Sequence, residues 1–151
     1  MSLSFSCLTD DAGEIVAPEW LPQAEAVHRQ LRENLPSGSD AYRETLTRVF
    51  ANGSRLTLAI EGEALKGLAL WRVLENTHEG RRLHVDDLVV DAACRSKGVG
   101  KALIAWLENH ARTISCAALA LDSGVQRSGA HRFYFREGFM IPSFCFGKKL
   151  T

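Results

Sequence analysis
Apolar residues recur along this chain in two rhythms, one of three to four residues and one of two, and the switches between them mark out its elements. Residues 3–9 alternate in part and run into the turn chemistry of Asp10-Asp11-Ala12-Gly13, which predicts an opening strand. Pro18 and Pro22 suit a helix entrance, and Val27, Leu31 and Leu35 follow at helical spacing until Pro36-Ser37-Gly38. Ser39 or Asp40 can cap a second helix, with Tyr42, Leu46, Val49 and Phe50 along one face as far as Asn52-Gly53.

The rhythm then shortens. Leu56, Leu58 and Ile60 alternate with Arg55, Thr57 and Glu61, Gly62 marks a turn, and residues 65–74 continue as a longer apolar strand, so a hairpin is predicted. A third run, 81–90, follows the polar turn at 76–80. Strict alternation would put Leu83, Val85, Asp87 and Val89 on one face and His84, Asp86, Leu88 and Val90 on the other. Three such strands in succession predict an antiparallel meander. Val99, Leu103, Trp106, Leu107 and His110 then line a helix reaching about residue 113, and residues 116–121 read as a buried strand parallel to the one before that helix. Ser128 can cap a helix over 128–137 with Gly138 as its C′ residue, and Phe144 and Phe146 alternate in a predicted final strand at 143–149.

Composition narrows the class of protein. A chain of 151 residues, 46% apolar and 24% charged, fits one globular domain over 1–151. Its 18 basic and 18 acidic side chains cancel, so nothing in the net charge suggests long-range attraction to nucleic acid or anionic lipid, and neither is expected as a partner. No apolar run approaches the ~20 residues of a membrane span, and the start Met1-Ser2-Leu3-Ser4-Phe5 lacks the regions of a signal peptide, so a cytoplasmic location is expected. Cys7, Cys94, Cys116 and Cys145 are scattered without a metal-binding spacing and read as reduced packing residues; no metal site is expected.

The strongest chemical signal lies at residues 87–103, where an apolar strand meets a basic, glycine-bearing loop and then an amphipathic helix. Gly98 and Gly100 let backbone N–H groups close on an anion, the helix N-terminus favours negative charge, and Arg95, Lys97 and Lys101 add positive charge. A phosphate or pyrophosphate cradle is the physical inference. A P-loop needs a different spacing and a hydroxyl after its lysine, where this chain has Ala102, and the dinucleotide fingerprint needs glycine where this chain has Leu103. Arg95-Ser96-Lys97-Gly98-Val99-Gly100 resembles motif A of the GNAT family of N-acetyltransferases. A second segment, residues 121–139, is similar to that family's motif B, in which a helix opening near an alanine carries a tyrosine four residues before Gly-Phe, here Tyr134 before Gly138-Phe139. The element order strand-helix-helix-strand-strand-strand-helix-strand-helix-strand is also that family's order, so the resemblance covers nearly the whole chain.

The resemblance implies an α/β fold with a mixed sheet whose central parallel pair, the fourth and fifth strands, splays around the cofactor. It implies that Leu88, Val89, Val90, Arg95, Ser96, Lys97, Gly98, Val99, Gly100 and Lys101 hold acetyl-CoA, with backbone amides near Val89 and Val90 facing the carbonyl oxygen. Tyr134 would donate to the departing thiolate; its plainer role is that of an aromatic core residue. The chemistry asks for one more group. A lysine-like amine of pKa ~10.4 costs about 4.6 kcal/mol to deprotonate at pH 7, so a proton relay helps. Asp87 is the first candidate, ahead of Asp86 and His84; each is otherwise a surface group or an anchor for substrate charge. Asp122 and Ser123 are placed equally well to touch cofactor or to cap their loop, and Trp20 to line an acceptor cleft or simply to pack.

Ala92, Ser96 and Arg127 depart from the family pattern, where proline, glycine and asparagine are common; only the last bears on ligand contact. No cysteine occupies a catalytic position in either motif, which points to direct attack in a ternary complex rather than an acetyl-cysteine intermediate. The expected acceptor is a primary amine on a small molecule or peptide, and a homodimer is compatible with the family. The alternative is a non-catalytic acyl-CoA-binding sensor, and a nucleotide-binding regulator is a further rival.

Overall fold
Ser4–Cys7 (β1), Arg55–Glu61 (β2), Ala64–Asn76 (β3), Gly80–Val90 (β4) and Ala118–Leu121 (β5) form one sheet, ordered as they occur in the chain. The computed structural model describes residues 2–151. β1 to β4 pair antiparallel in succession, the predicted meander, and β5 lies parallel beside β4. The mixed α/β sheet expected from the motifs is thus the one observed.

Leu21–Arg29 (α1) and Ser39–Ala51 (α2) cover one sheet face. Leu21, Ala24 and Val27 of α1 and Tyr42, Leu46 and Phe50 of α2 bury against Leu56, Leu58, Leu68 and Leu70, every second residue of β2 and β3. Each side chain of leucine size removed from water there contributes roughly 1.5–3 kcal/mol. Val99–Thr113 (α3) lies on the other face: the Trp71 ring of β3 packs at a tilt against Trp106 and His110 of α3, with ring centroids 6.3 and 4.8 Å away.

Four details differ from the sequence reading. α1 stops at Arg29 instead of reaching Leu35, because the Arg29 guanidinium donates to the carbonyls of Leu35 and Pro36 and folds the chain back on itself. Leu31 and Leu35 still pack on the core from that turn. The N-cap positions of α2 and of Ser128–Arg136 (α4) fall on Gly38 and Arg127, so Ser39 and Ser128 are first helical residues and give no cap hydrogen bond. The strand expected at 143–149 does not form: Phe144 and Phe146 are 79% and 95% exposed, and alternation alone cannot supply the hydrogen-bonding partner a strand needs.

The fourth difference bears on chemistry. Leu70 pairs with Asp87 but Trp71 pairs with Val85, so Asp86 is an extra residue in β4, a β-bulge. Arg72 pairs with His84. Leu70 and Arg72 share a face of β3, so Asp87 and His84 share a face of β4, where strict alternation had separated them.

The chain divides into two compact units, one up to Ala120 and one from Leu121 onward. In the second, α4 is closed by amides of Gly138 and Phe139 donating to carbonyls of Phe135 and Tyr134, and Tyr134 packs against the rings of Phe133 and Phe139. All four cysteines are free; Cys94 is buried and Cys7 and Cys116 half-buried, but Cys145, expected to pack, is exposed.

Candidate active site
β4 delivers the chain to the glycine loop. Leu88, Val89 and Val90 are its last three residues; Asp91 caps a single 3-10 turn at Ala92–Cys94, and Arg95, Ser96, Lys97 and Gly98 follow as an exposed loop. Gly98, with φ at 86°, sits at the N-cap of α3 in the left-handed conformation. The first helical hydrogen bond runs from the Ala102 amide to the Gly98 carbonyl, and no side chain caps the helix. The amides of Val99, Gly100 and Lys101 therefore meet the positive end of a 15-residue helix without an intrahelical acceptor. With the exposed side chains of Arg95, Lys97 and Lys101 around them, the residues present fit a diphosphate: the donors point outward, and glycine leaves the approach open.

A second cluster lies on the α1–α2 face. Asp87 is 8% exposed, and its carboxylate is held from two sides. His28 Nε2 donates to Oδ2 at 2.7 Å, while Arg32 donates to Oδ1 through Nε at 2.8 Å and Nη2 at 2.5 Å. Burial would raise the carboxyl pKa, but the hydrogen bonds from His28 and Arg32, with the Arg32 charge beside them, outweigh it and hold the group below the ordinary aspartate value. Asp87 is therefore a carboxylate at neutral pH. Three of its roughly four acceptor positions are taken by these donors. Beside it Asp86 pairs with Arg72 Nε at 3.0 Å and lies 3.9 Å from His84 Nε2.

Sequence reasoning found Asp87, Asp86 and His84, but not that a bulge gathers them, and it missed His28, Arg32 and Tyr42. His28 falls on the buried stripe of α1 with Leu21, Ala24 and Val27; a histidine in an apolar stripe was the available signal. Tyr42 was read only as a core residue. Its hydroxyl lies 2.9 Å from His28 Nδ1. Trp20 packs against the core, which is its plainer role.

In the second unit, Tyr134 is 9% exposed. Burial pushes its hydroxyl pKa up, and the Arg127 guanidinium beside it pulls in the opposite direction with less effect. Tyr134 thus keeps its proton at neutral pH, the state a proton donor needs.

A family model described as the acetyltransferase (GNAT) family matches residues 20–139. The chain belongs to that family. YhdJ of Bacillus subtilis, described as an uncharacterized N-acetyltransferase, is 37% identical over 86% of this chain and 91% of its own. The aminoalkylphosphonate N-acetyltransferase of Salmonella typhimurium is 33% identical over 59% and 58% of the two chains. Among solved structures, an aminoglycoside N-acetyltransferase in complex with CoA superposes with a TM-score of 0.79 at 16% identity, over 99% of this chain and 96% of that one, a likeness of fold. This GNAT protein is an acyltransferase that uses an acyl-CoA donor. Among the described residues no helix is long and apolar enough to cross a membrane, and no group of three or more histidine, cysteine, aspartate or glutamate side chains could hold a metal ion.

Proposed function
We propose that this protein transfers the acetyl group of acetyl-CoA to the primary amine of a small acceptor, by direct attack in a ternary complex. The observation that carries the reading is the uncapped start of α3 behind Gly98, ringed by Arg95, Lys97 and Lys101, which suits a diphosphate. Ser96, Val99 and Gly100 complete that loop, and Leu88, Val89 and Val90 offer main-chain groups along the donor's arm, with an amide at Val89 or Val90 as donor to the developing oxyanion.

The acceptor nitrogen attacks the thioester carbonyl, the C–N bond forms and the C–S bond breaks. Asp87, charged at neutral pH, takes the proton that the acceptor's nitrogen sheds and hands it to solvent water, because a carboxylate of lowered pKa does not keep it. Tyr134 gives its hydroxyl proton to the leaving sulfur and is reprotonated afterwards. The Salmonella relative's name points to an amine that also carries a phosphonate, and amines of that class belong first in any acceptor panel.

Thiol release from acetyl-CoA, measured against small amines with and without phosphate or phosphonate, tests the reading. Turnover on at least one amine, with the acetylated product seen by mass spectrometry, is expected. Tight binding of acetyl-CoA without thiol release on any amine would replace transfer with a sensor function. Stronger thermal stabilisation by ATP or NAD than by acetyl-CoA would overturn the donor itself.

A further inference from the structure
His28 is 2% exposed and Tyr42 fully buried, so the chain from the Tyr42 hydroxyl through the His28 ring to Asp87 runs where water does not reach. A carboxylate can only accept, so the His28 nitrogen that faces Asp87 carries a hydrogen. Burial pushes the Tyr42 hydroxyl well above its ordinary pKa, aided by the charges of Glu25 and Asp87, so it stays protonated and has a hydrogen to give. Donated to His28 Nδ1, it completes a line in which the hydrogen on Nε2 faces Asp87 from 2.7 Å. Every polar atom on the line is then satisfied, and the line points one way, toward the carboxylate.

Such a chain is poorly explained as packing. Its neighbours on α1 and α2 are Ala24, Val27 and Leu46, and buried polar sets of this kind are matched or exceeded in stability by apolar residues of similar volume. Resting on the reading that Asp87 is the catalytic carboxylate, we propose that His28 is a positioning residue for acetyl transfer: it fixes the orientation of Asp87, Tyr42 selects the tautomer that does so, and Arg32 clamps the second oxygen. The charged and titratable groups around Asp87 are His28 and Arg32 from α1 and the turn after it, Tyr42 of α2 with Glu25 and Arg29 within range of its hydroxyl, and Asp86 and His84 of β4 with Arg72 of β3 on Asp86. His28 and Arg32 donate to the carboxylate itself.

The experiment compares Asp87→Asn, His28→Leu, His28→Gln and Tyr42→Phe by pH–rate profile and by NMR of the nitrogen-labelled His28 ring. In His28→Leu, kcat is expected to fall about tenfold, and the acidic limb of kcat/KM for the acceptor to move up by about one pH unit, with KM for acetyl-CoA unchanged. His28→Gln, whose amide can still donate to Oδ2, is expected to return the limb and most of the rate. Tyr42→Phe is expected to turn a single Nε2–H tautomer into a mixture. If Asp87→Asn keeps the parent rate, the catalytic reading of Asp87 falls and this proposal with it. If Asp87→Asn is crippled while both His28 variants keep the parent profile, the carboxylate reading stands and the positioning role is overturned. Should His28→Leu not fold, a His28→Gln profile displaced as far as a full loss of the donor requires, or a parent ring protonated at Nδ1 and not Nε2, overturns it equally.

Discussion

A Cβ built on Gly67 of β3 would stand 2.8 Å from the carbonyl oxygen of Val89 on β4, and 3.1 Å from the side chains of Val99 and Leu103 at the start of α3. The sheet and the helix behind the glycine loop therefore meet at a residue without a side chain. Gly67→Ala must push backbone against backbone, which is expected to destabilise the fold by about 1–3 kcal/mol. Because the strain falls on Val89 and on the first turn of α3, KM for acetyl-CoA should rise together with the loss of Tm. A variant with the parent's Tm would show that the two strands part freely here.

The loop itself gives a pair of opposite predictions. Gly98 has open space around the place of its missing Cβ, so Gly98→Ala costs only the left-handed backbone, about 1–2 kcal/mol. KM for acetyl-CoA should rise several-fold while kcat at saturating donor stays close to the parent's. Ser96 holds φ at 64°, a conformation glycine adopts without penalty. Ser96→Gly should raise stability by roughly 1 kcal/mol, seen as a higher urea midpoint.

Where local chemistry decides the backbone, the sequence was a good guide. The meander over β2 to β4, the buried stripe of α2 and the glycine loop before α3 stand where spacing predicted them, because each depends on neighbours a few residues apart. Long-range contacts were not legible. The bulge at Asp86 is set by how β3 and β4 slide past each other between Leu70 and Trp71, and no local period records it. One extra residue was enough to bring His84 and Asp87 to the same face. Likewise His28 and Asp87 are 59 residues apart, and nothing near either announces the other. The absent strand at 143–149 shows the converse: Phe144 and Phe146 have the alternation but no partner.

Asp87 also sets a pH dependence of stability. A carboxyl whose folded pKa lies below its unfolded value of about 3.9 stabilises the native state above that value, and the contribution is lost as pH falls through the lowered folded value. Asp87→Asn should therefore be less stable than the parent at pH 6, with the gap closing as the solution is acidified below about pH 4. Urea midpoints of both proteins between pH 2 and 6 check this; parallel curves across the range would mean that His28 and Arg32 do not hold the charge.

Tyr134 carries the complementary prediction at alkaline pH. In the proposed role of proton donor it works only while protonated, so Tyr134→Phe should lower kcat by about 100-fold and leave KM for acetyl-CoA close to the parent's. Burial raises its hydroxyl pKa and the Arg127 guanidinium lowers it, so the parent should keep its rate past the ordinary tyrosine value of about 10. Removing the cation in Arg127→Ala takes away the charge that favours the phenolate, and the alkaline limb of kcat should move still higher. A limb that stays put in Arg127→Ala, or that survives unchanged in Tyr134→Phe, would assign the alkaline loss to another group and leave Tyr134 as a ring packed between Phe133 and Phe139.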